Sequence, residues 1–150
     1  MQAIIACDPK GGIGYQNKLP WDKIQGDLPR FKKLTSDKVV VMGRHTWESL
    51  PIKPLSNRLN FVLSSTQLEL PKGAFCISNI DQLNGFNGCI IGGAKLIQSA
   101  WDKINEIHLT KTFAEYTCDT FIDIVKLQYD FEMVSEETYA DHVYQIWKRR

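Results

Sequence analysis

Four short stretches carry residue types suited to binding phosphate or handling a proton. In VVVMGRHTWESL, Val39 to Leu50, an apolar run ends at Gly43 and a helical pattern opens at Arg44 to Thr46. Free N–H groups at a helix start attract phosphate oxygens, and the Arg44 guanidinium offers a planar fork of donors to the same atoms. The plainer alternative is a tight strand-to-helix turn with Thr46 near an N-cap and Arg44 in solvent. In CIIGGAKLIQSAW, Cys89 to Trp101, a second strand meets a second helix across Gly92-Gly93. Two adjacent glycines let a backbone approach a pyrophosphate. This is not the G-x-G-x-x-G fingerprint. Taken together, however, both turns lie at carboxyl ends of strands, where open α/β sheets bind ligands, and they suggest a dinucleotide across the sheet edge. NFVLSS, Asn60 to Ser65, adds two hydroxyls, Ser64 and Ser65, which either donate to a phosphate or end the strand as a turn.

The acid stands in WDKIQGDLPRFKKL, where Asp27 precedes an amphipathic helix with Leu28, Phe31 and Leu34 on one face. Asp is a favoured N-cap, and the local pattern favours that role. The functional alternative is a carboxylate facing a ligand cleft, with Phe31 one turn further along the same wall. Between the first apolar run and this acid lies GGIGYQNKLPW, Gly11 to Trp21. Three glycines in four residues make a poor strand and a poor helix, and the stretch exceeds a plain turn of two to five residues. A loop that is glycine-rich at one end and presents Leu-Pro-Trp at the other reads as a cover.

The elements that must position these groups follow from apolar, β-branched runs at Ala3–Cys7, Val39–Met42, Leu59–Leu63, Ala74–Ile77, Cys89–Ile91 and Ile107–Thr110. Helical patterns lie between them around Leu28–Leu34, Thr46–Leu50, Ile80–Leu83 and Ala94–Trp101. Alternation of strand and helix predicts right-handed crossovers and an α/β fold, its mostly parallel sheet buried on both faces. Two alternating stretches near the C-terminus, around Tyr129–Ser135 and His142–Trp147, lack a helix between them and predict an antiparallel hairpin at one edge. Asp119–Leu127 fits no element by pattern alone.

The chain has 150 residues, which predicts one domain over residues 1–150; 43% are hydrophobic, 23% are charged, and the net charge is +1. That balance argues against nucleic acid as a partner. The terminal Lys148-Arg149-Arg150 reads as a solvated tail. Cys7, Cys76, Cys89 and Cys118 form no Cys-x-x-Cys pair, and His45, His108 and His142 show no ligand spacing, so no metal is expected and reduced cytosolic thiols are. No stretch approaches the length of a membrane span, and Ala3–Cys7 is too short for a secretory signal. A cytoplasmic protein is the expectation.

In chain order, these segments resemble dihydrofolate reductase over nearly the whole sequence. The shared motifs are an N-terminal Ile-Ala strand, Ile13-Gly14, Leu19-Pro20-Trp21, Asp27-Leu28-x-x-Phe31 and Met42-Gly43-Arg44-x-Thr46-x-x-Ser49. Pro54-Leu55-x-x-Arg58, Ser64-Ser65, Ile91-Gly92-Gly93, His108-Leu109-Thr110 and Asp119-Thr120 complete the series. Each is a common peptide, and their joint order is specific. The resemblance implies a mostly parallel eight-stranded sheet flanked by helices on both faces, a C-terminal antiparallel hairpin, and a monomer. It implies NADPH as cofactor and 7,8-dihydrofolate as substrate, with Gly11–Trp21 as a mobile lid. Asp27 then pairs with the pterin ring, supported by Thr110, while Trp21 holds an ordered water. Ile4, Ala6, Phe31, Ile52 and Ile91 form apolar walls, and Arg58 grips the glutamate α-carboxylate. On the cofactor side, Gly43, Arg44, His45 and Thr46 serve the phosphates, and Ser64, Ser65 and Lys95 lie toward the adenosine 2′-phosphate. Gly92 and Gly93 admit the nicotinamide ribose and pyrophosphate, while Ala6, Ile13, Gly14, Leu19, Ile91, Ala94, Leu96 and Ile97 complete that wall.

The sequence departs from the family pattern at several points. Five residues separate Trp21 from Asp27, one more than in many bacterial members, and Asp22 is a rival carboxylate. Ile97 replaces a frequent tyrosine, Lys95 a frequent arginine, and Pro51-Ile52-Lys53 is unusual. A pyrimidine reductase of riboflavin synthesis shares the fold and cofactor, but Arg58 on Pro-Leu-x-x-Arg and Asp27 ahead of Phe31 favour folate. A non-catalytic binding protein on the same fold is the rival from another class, opposed by the intact acid and lid.

Overall fold

The computed structural model describes residues 1–150. In chain order the elements are β1 (Gln2–Cys7), β2 (Gly12–Gly14), α1 (Asp27–Thr35), β3 (Val39–Gly43), α2 (Arg44–Ser49), β4 (Leu59–Leu63) and β5 (Ala74–Ile77). Then follow β6 (Gly88–Gly92), α3 (Ala94–Ser99), β7 (Glu106–Thr112), β8 (Thr120–Phe121), α4 (Ile124–Asp130), β9 (Phe131–Thr138) and β10 (His142–Arg149). Ile80–Leu83 and Trp101–Lys103 are short 3₁₀ turns.

Eight strands form one sheet in the order β5-β4-β3-β6-β1-β7-β10-β9. The pairs from β5 through to β7 are parallel, and β10 pairs antiparallel with both β7 and β9. The expected edge hairpin is therefore present. Its first strand starts at Phe131 rather than Tyr129, because α4 runs on through Asp130.

Successive side chains of a strand point to opposite faces, and β3 shows the result directly. Val39 and Val41 join a core with Ile5, Ile90, Leu96, Ile107 and Leu127, whereas Val40 and Met42 join a second with Trp47, Val62 and Cys89. Parallel strands covered on both faces read as continuous apolar runs, which explains why VVVM carries no polar alternation. Helices α3 and α4 place Leu96, Ile97 and Leu127 in the first core, and α2 places Trp47 in the second.

Three sequence expectations are corrected. The glycine-rich stretch does contain a strand: β2 pairs with β8, and this small sheet accounts for part of the segment that had no assignment. Glycine is required there by close approach, since a side chain on Gly12 would run into Cys118 Sγ. Gly11, at φ +85°, also lies in the left-handed region. The C-terminal cluster is not a loose tail. Arg149 donates to the carbonyls of Ile104 and Trp101, and its guanidinium lies over the Phe131 ring. Finally, Trp21 is buried and packs edge-on against Tyr116 at 5.6 Å, leaving Leu19, 64% exposed, as the apolar tip of its loop.

Candidate active site

One long cleft opens at the carboxyl ends of β1, β3, β6 and β7. It has two lobes of about 660 and 810 Å³ that share Ile4, Ala6, Leu19, His45, Thr46 and Ile91.

The smaller lobe is built by the two strand-to-helix turns. At the first, β3 passes into α2 with Gly43 in the extended N-cap position and no side-chain cap, so Thr46 is not the cap. Beside it, Gly92 adopts φ +137°, and a Cβ there would stand 3.2 Å from Thr46 Oγ1. A Cβ on Gly43 would meet Gly93 N at 3.7 Å. The two turns thus lie side by side, and the position that requires glycine is Gly92, with its positive φ and tight contact to Thr46. Arg44 stands at the rim, where it donates from Nε to Glu48 Oε1 at 2.8 Å and from Nη1 to Thr66 Oγ1 at 3.4 Å. The hydrogen bond from Arg44 holds the Glu48 carboxyl below its usual range. Of the residues expected on the cofactor side, Ala6, Ile13, Gly14, Leu19, Gly43, Arg44, His45, Thr46, Ile91, Gly92, Gly93, Ala94, Lys95, Leu96 and Ile97 all line this lobe. Ser64 and Ser65 do not. Ser64 Oγ accepts from Thr66 N at 3.2 Å, a contact of the turn that follows β4.

The larger lobe centres on Asp27. Gly26, at φ +82°, turns the chain into α1 and stands at the N-cap with no side-chain hydrogen bond. Asp27 is therefore the first helical residue and not a cap, contrary to the local pattern. Its Oδ1 accepts instead from Thr110 Oγ1 at 2.8 Å. Arg30 Nη1 lies 3.9 Å from the same oxygen and donates to Thr110 Oγ1 at 3.2 Å. Asp22 also lines this lobe, yet only Asp27 is tied to the opposite wall. Ile4, Ala6, Trp21, Phe31, Ile91 and Thr110 line the same lobe. The face carrying Leu28, Phe31 and Leu34 lines the cleft and joins neither core cluster.

Two expected substrate contacts lie outside the cleft. Ile52 is 77% exposed, and Leu50 and Pro51 line the wall in its stead. Arg58 donates to Thr35 Oγ1 and to the Ser56 carbonyl, each at 2.8 Å, without a carboxylate partner. Its loop is fixed by buried Asn60, whose amide bonds to the backbone of Leu55 and Arg58.

The loop over the cleft is clasped at its start and at its turn. Asp8 Oδ1 accepts from Lys10 N and Gly12 N, while Asp119 Oδ2 accepts from Gln16 N at 2.9 Å. Gln16 and Asn17, at φ +50° and +62°, make its tight turn.

Sequence reasoning missed Arg30, His108 and Tyr144, which line the acid lobe. Tyr144 hydrogen-bonds His108 Nδ1, and burial raises its hydroxyl above the usual range, opposed by the Arg30 cation. His108 stood in the His108-Leu109-Thr110 motif with no role assigned to it, whereas no short motif marks Arg30 or Tyr144. Their register was available, since Tyr144 pairs with Thr110 across β10 and β7.

Residues 1–147 match the family model described as dihydrofolate reductase. Among curated proteins, the chain is 36% identical over 163 aligned positions to dihydrofolate reductase type 8 of Escherichia coli, covering all of this chain and 96% of that one. It is 34% identical over 137 positions to dihydrofolate reductase of Staphylococcus aureus, covering 90% and 84%. It is 39% identical over 127 positions to the bifunctional dihydrofolate reductase-thymidylate synthase of Paramecium tetraurelia, covering 80% of this chain and 27% of that protein.

Proposed function

The chain belongs to the dihydrofolate reductase family and is a dihydrofolate reductase, and we propose that it works with NADPH, binding the cofactor in the smaller lobe and dihydrofolate in the larger. The observation that carries this reading is the juxtaposition of a half-buried carboxylate, Asp27, with a glycine-lined phosphate-type turn across shared apolar residues.

The smaller lobe fits such a cofactor in kind. Gly43, Gly92 and Gly93 leave backbone open to a pyrophosphate, Arg44 and Thr46 supply donors beside it, and Lys95 adds a cation suited to an extra phosphate. Bound NADPH supplies the hydride that adds to C6 of 7,8-dihydrofolate, and a proton at N5 completes tetrahydrofolate. The chain itself supplies position and electrostatics. Asp27 accepts hydrogen bonds from the N–H groups of the pterin ring, orients it, and favours the form protonated at N5. Thr110 fixes one carboxylate oxygen, and Trp21 holds a water near the ring. Phe31 and Ile4 supply apolar wall for the ring, and Ile91 and Ala6 line both lobes. Leu19, at the tip of the loop, shields the reacting face from solvent, as lids do. Arg58 lies near the end of α1, where its unpaired guanidinium suits a carboxylate tail once that tail reaches it. Ser64 and Ser65 lie beyond this lobe and are not needed for the reading. Ile52 takes no part in the wall.

We further infer a single-domain monomer in the cytoplasm that supplies one-carbon metabolism. The cytoplasmic reading rests on four free cysteines. No helix is long and apolar enough to cross a membrane. The decisive assay follows NADPH oxidation by the purified protein with and without 7,8-dihydrofolate, and with methotrexate added. Dihydrofolate-dependent, methotrexate-blocked oxidation is expected. NADPH binding without folate binding would point instead to a pyrimidine-like substrate.

A further inference from the structure

The acid lobe holds a cation for which the reaction above has no use. Arg30 lies on α1 one turn beyond Asp27, its side chain 15% exposed. Its Nη1 donates to Thr110 Oγ1 at 3.2 Å, and its Nη2 meets His142 Nε2 at 3.1 Å. The guanidinium lies over the ring of Tyr144 at 4.3 Å and that of Tyr139 at 5.0 Å. Arginine carries only donors and keeps its charge, so His142 Nε2 must accept. With Nε2 accepting, the ring places a proton on Nδ1, which faces Asp141 Oδ1 at 2.6 Å. That contact holds the Asp141 carboxyl below its usual range, helped by the Gln25 amide, which donates to Oδ2 at 3.1 Å.

We propose that Arg30 is a positioning residue for Asp27, and that the Nδ1–H tautomer of His142 holds it there. The hydrogen bonds run in one direction. Arg30 donates to the Thr110 oxygen, so the single Thr110 proton goes to Asp27 Oδ1, and Oδ2 is left for the donors of the substrate. The turn between β9 and β10, with Tyr139 and Asp141, and His142 at the start of β10 thereby set the hydrogen-bonding pattern of an acid on α1. The turn also grips Gln25, in the segment that joins the lid to that acid. The role rests on Asp27 being the substrate-binding acid.

Two measurements on the full chain test it. Nitrogen-15 NMR of the native protein at neutral pH, without ligand, is expected to show His142 protonated at Nδ1 only. A proton on Nε2, or on both nitrogens, overturns the proposal whatever the enzyme's activity. In kinetics, His142→Phe keeps a ring to stack on Tyr139 but offers no acceptor, while His142→Gln restores an acceptor oxygen without a ring. His142→Phe is expected to lower kcat/KM for dihydrofolate roughly tenfold, the scale of one hydrogen bond to a charged group, with KM for NADPH unchanged. His142→Gln is expected to recover most of that loss. Equal losses, no loss, or the reverse order would make the ring or mere packing the operative feature and sink the proposal. If Asp27→Asn kept full turnover, the substrate role of the acid would fail separately, with the tautomer unaffected.

Discussion

The Thr110 hydroxyl and the Asp27 carboxylate meet at 2.8 Å across 83 positions of sequence, joining β7 to the first residue of α1. The contact shows that the carboxylate is turned toward the cleft and does not cap its helix. Asp27→Asn is therefore expected to lower turnover at neutral pH by about a hundredfold or more, within the range of general acid–base contributions. NADPH affinity, measured by fluorescence titration, should stay near native, and the melting temperature should fall little. Full turnover in the variant would show that the acid takes no part in the reaction.

Gly92 permits the two phosphate-type turns to meet. An added methyl group would press on Thr46 Oγ1 at 3.2 Å while the backbone holds φ +137°. Gly92→Ala should destabilise the protein by about 1–3 kcal/mol, the cost of a residue in a disfavoured backbone region. It should also weaken NADPH binding more than folate binding, as separate titrations would reveal.

The lid has a pH-sensitive anchor in Asp119. Its carboxyl is held below the ordinary value of 3.8, first by the Gln16 amide and then by the Thr120 hydroxyl. A carboxyl lowered on folding stabilises the native state fully above its unfolded value, and the contribution fades as pH falls through the lower native one. Native protein should then be more stable to urea than Asp119→Asn at neutral pH. The gap should close only on acidification below 3.8. A gap that is unchanged in acid would remove Asp119 from the clasp.

The two apolar positions beside the acid should behave differently. Phe31 lines the cleft, whereas Ile52 is exposed and lies off it. Phe31→Ala should raise KM for dihydrofolate about tenfold, as expected when a ring-sized contact is lost. Ile52→Ala should leave KM unchanged and alter stability by no more than about 0.5 kcal/mol.

Cys7 is fully buried, and its thiol is pushed up to about 12, chiefly by that burial. Only the thiolate attacks alkylating reagents. Mass spectrometry after iodoacetamide treatment of native protein should find Cys7 unmodified at mildly alkaline pH and modified after unfolding.

Much of the frame could be read from the chain because its signals are local. Runs such as Val39–Met42 and Leu59–Leu63 announce buried parallel strands, and the glycines at 43, 92 and 93 mark strand ends. Asp27 was ambiguous, because the same residue type caps helices and binds ligands, and only Thr110 on a distant strand decides between them. β2 and β8 were hidden for a related reason. Each is too short to show periodicity, and their pairing depends on a close approach that no window of sequence reveals. Arg30 was hidden because a charged residue on an amphipathic helix ordinarily faces water, and its partners come from the far C-terminal hairpin.

The division of β3 between two cores has a consequence for how such a chain can vary. Val39 and Val41 pack on one side and Val40 and Met42 on the other, so neighbouring positions answer to different surroundings. Substitutions that share side-chain partners depend on each other most strongly, and here the partners alternate along the strand. A change in either layer is met first by that layer's own neighbours. The sheet thus separates two packing layers, each of which reaches the same cleft.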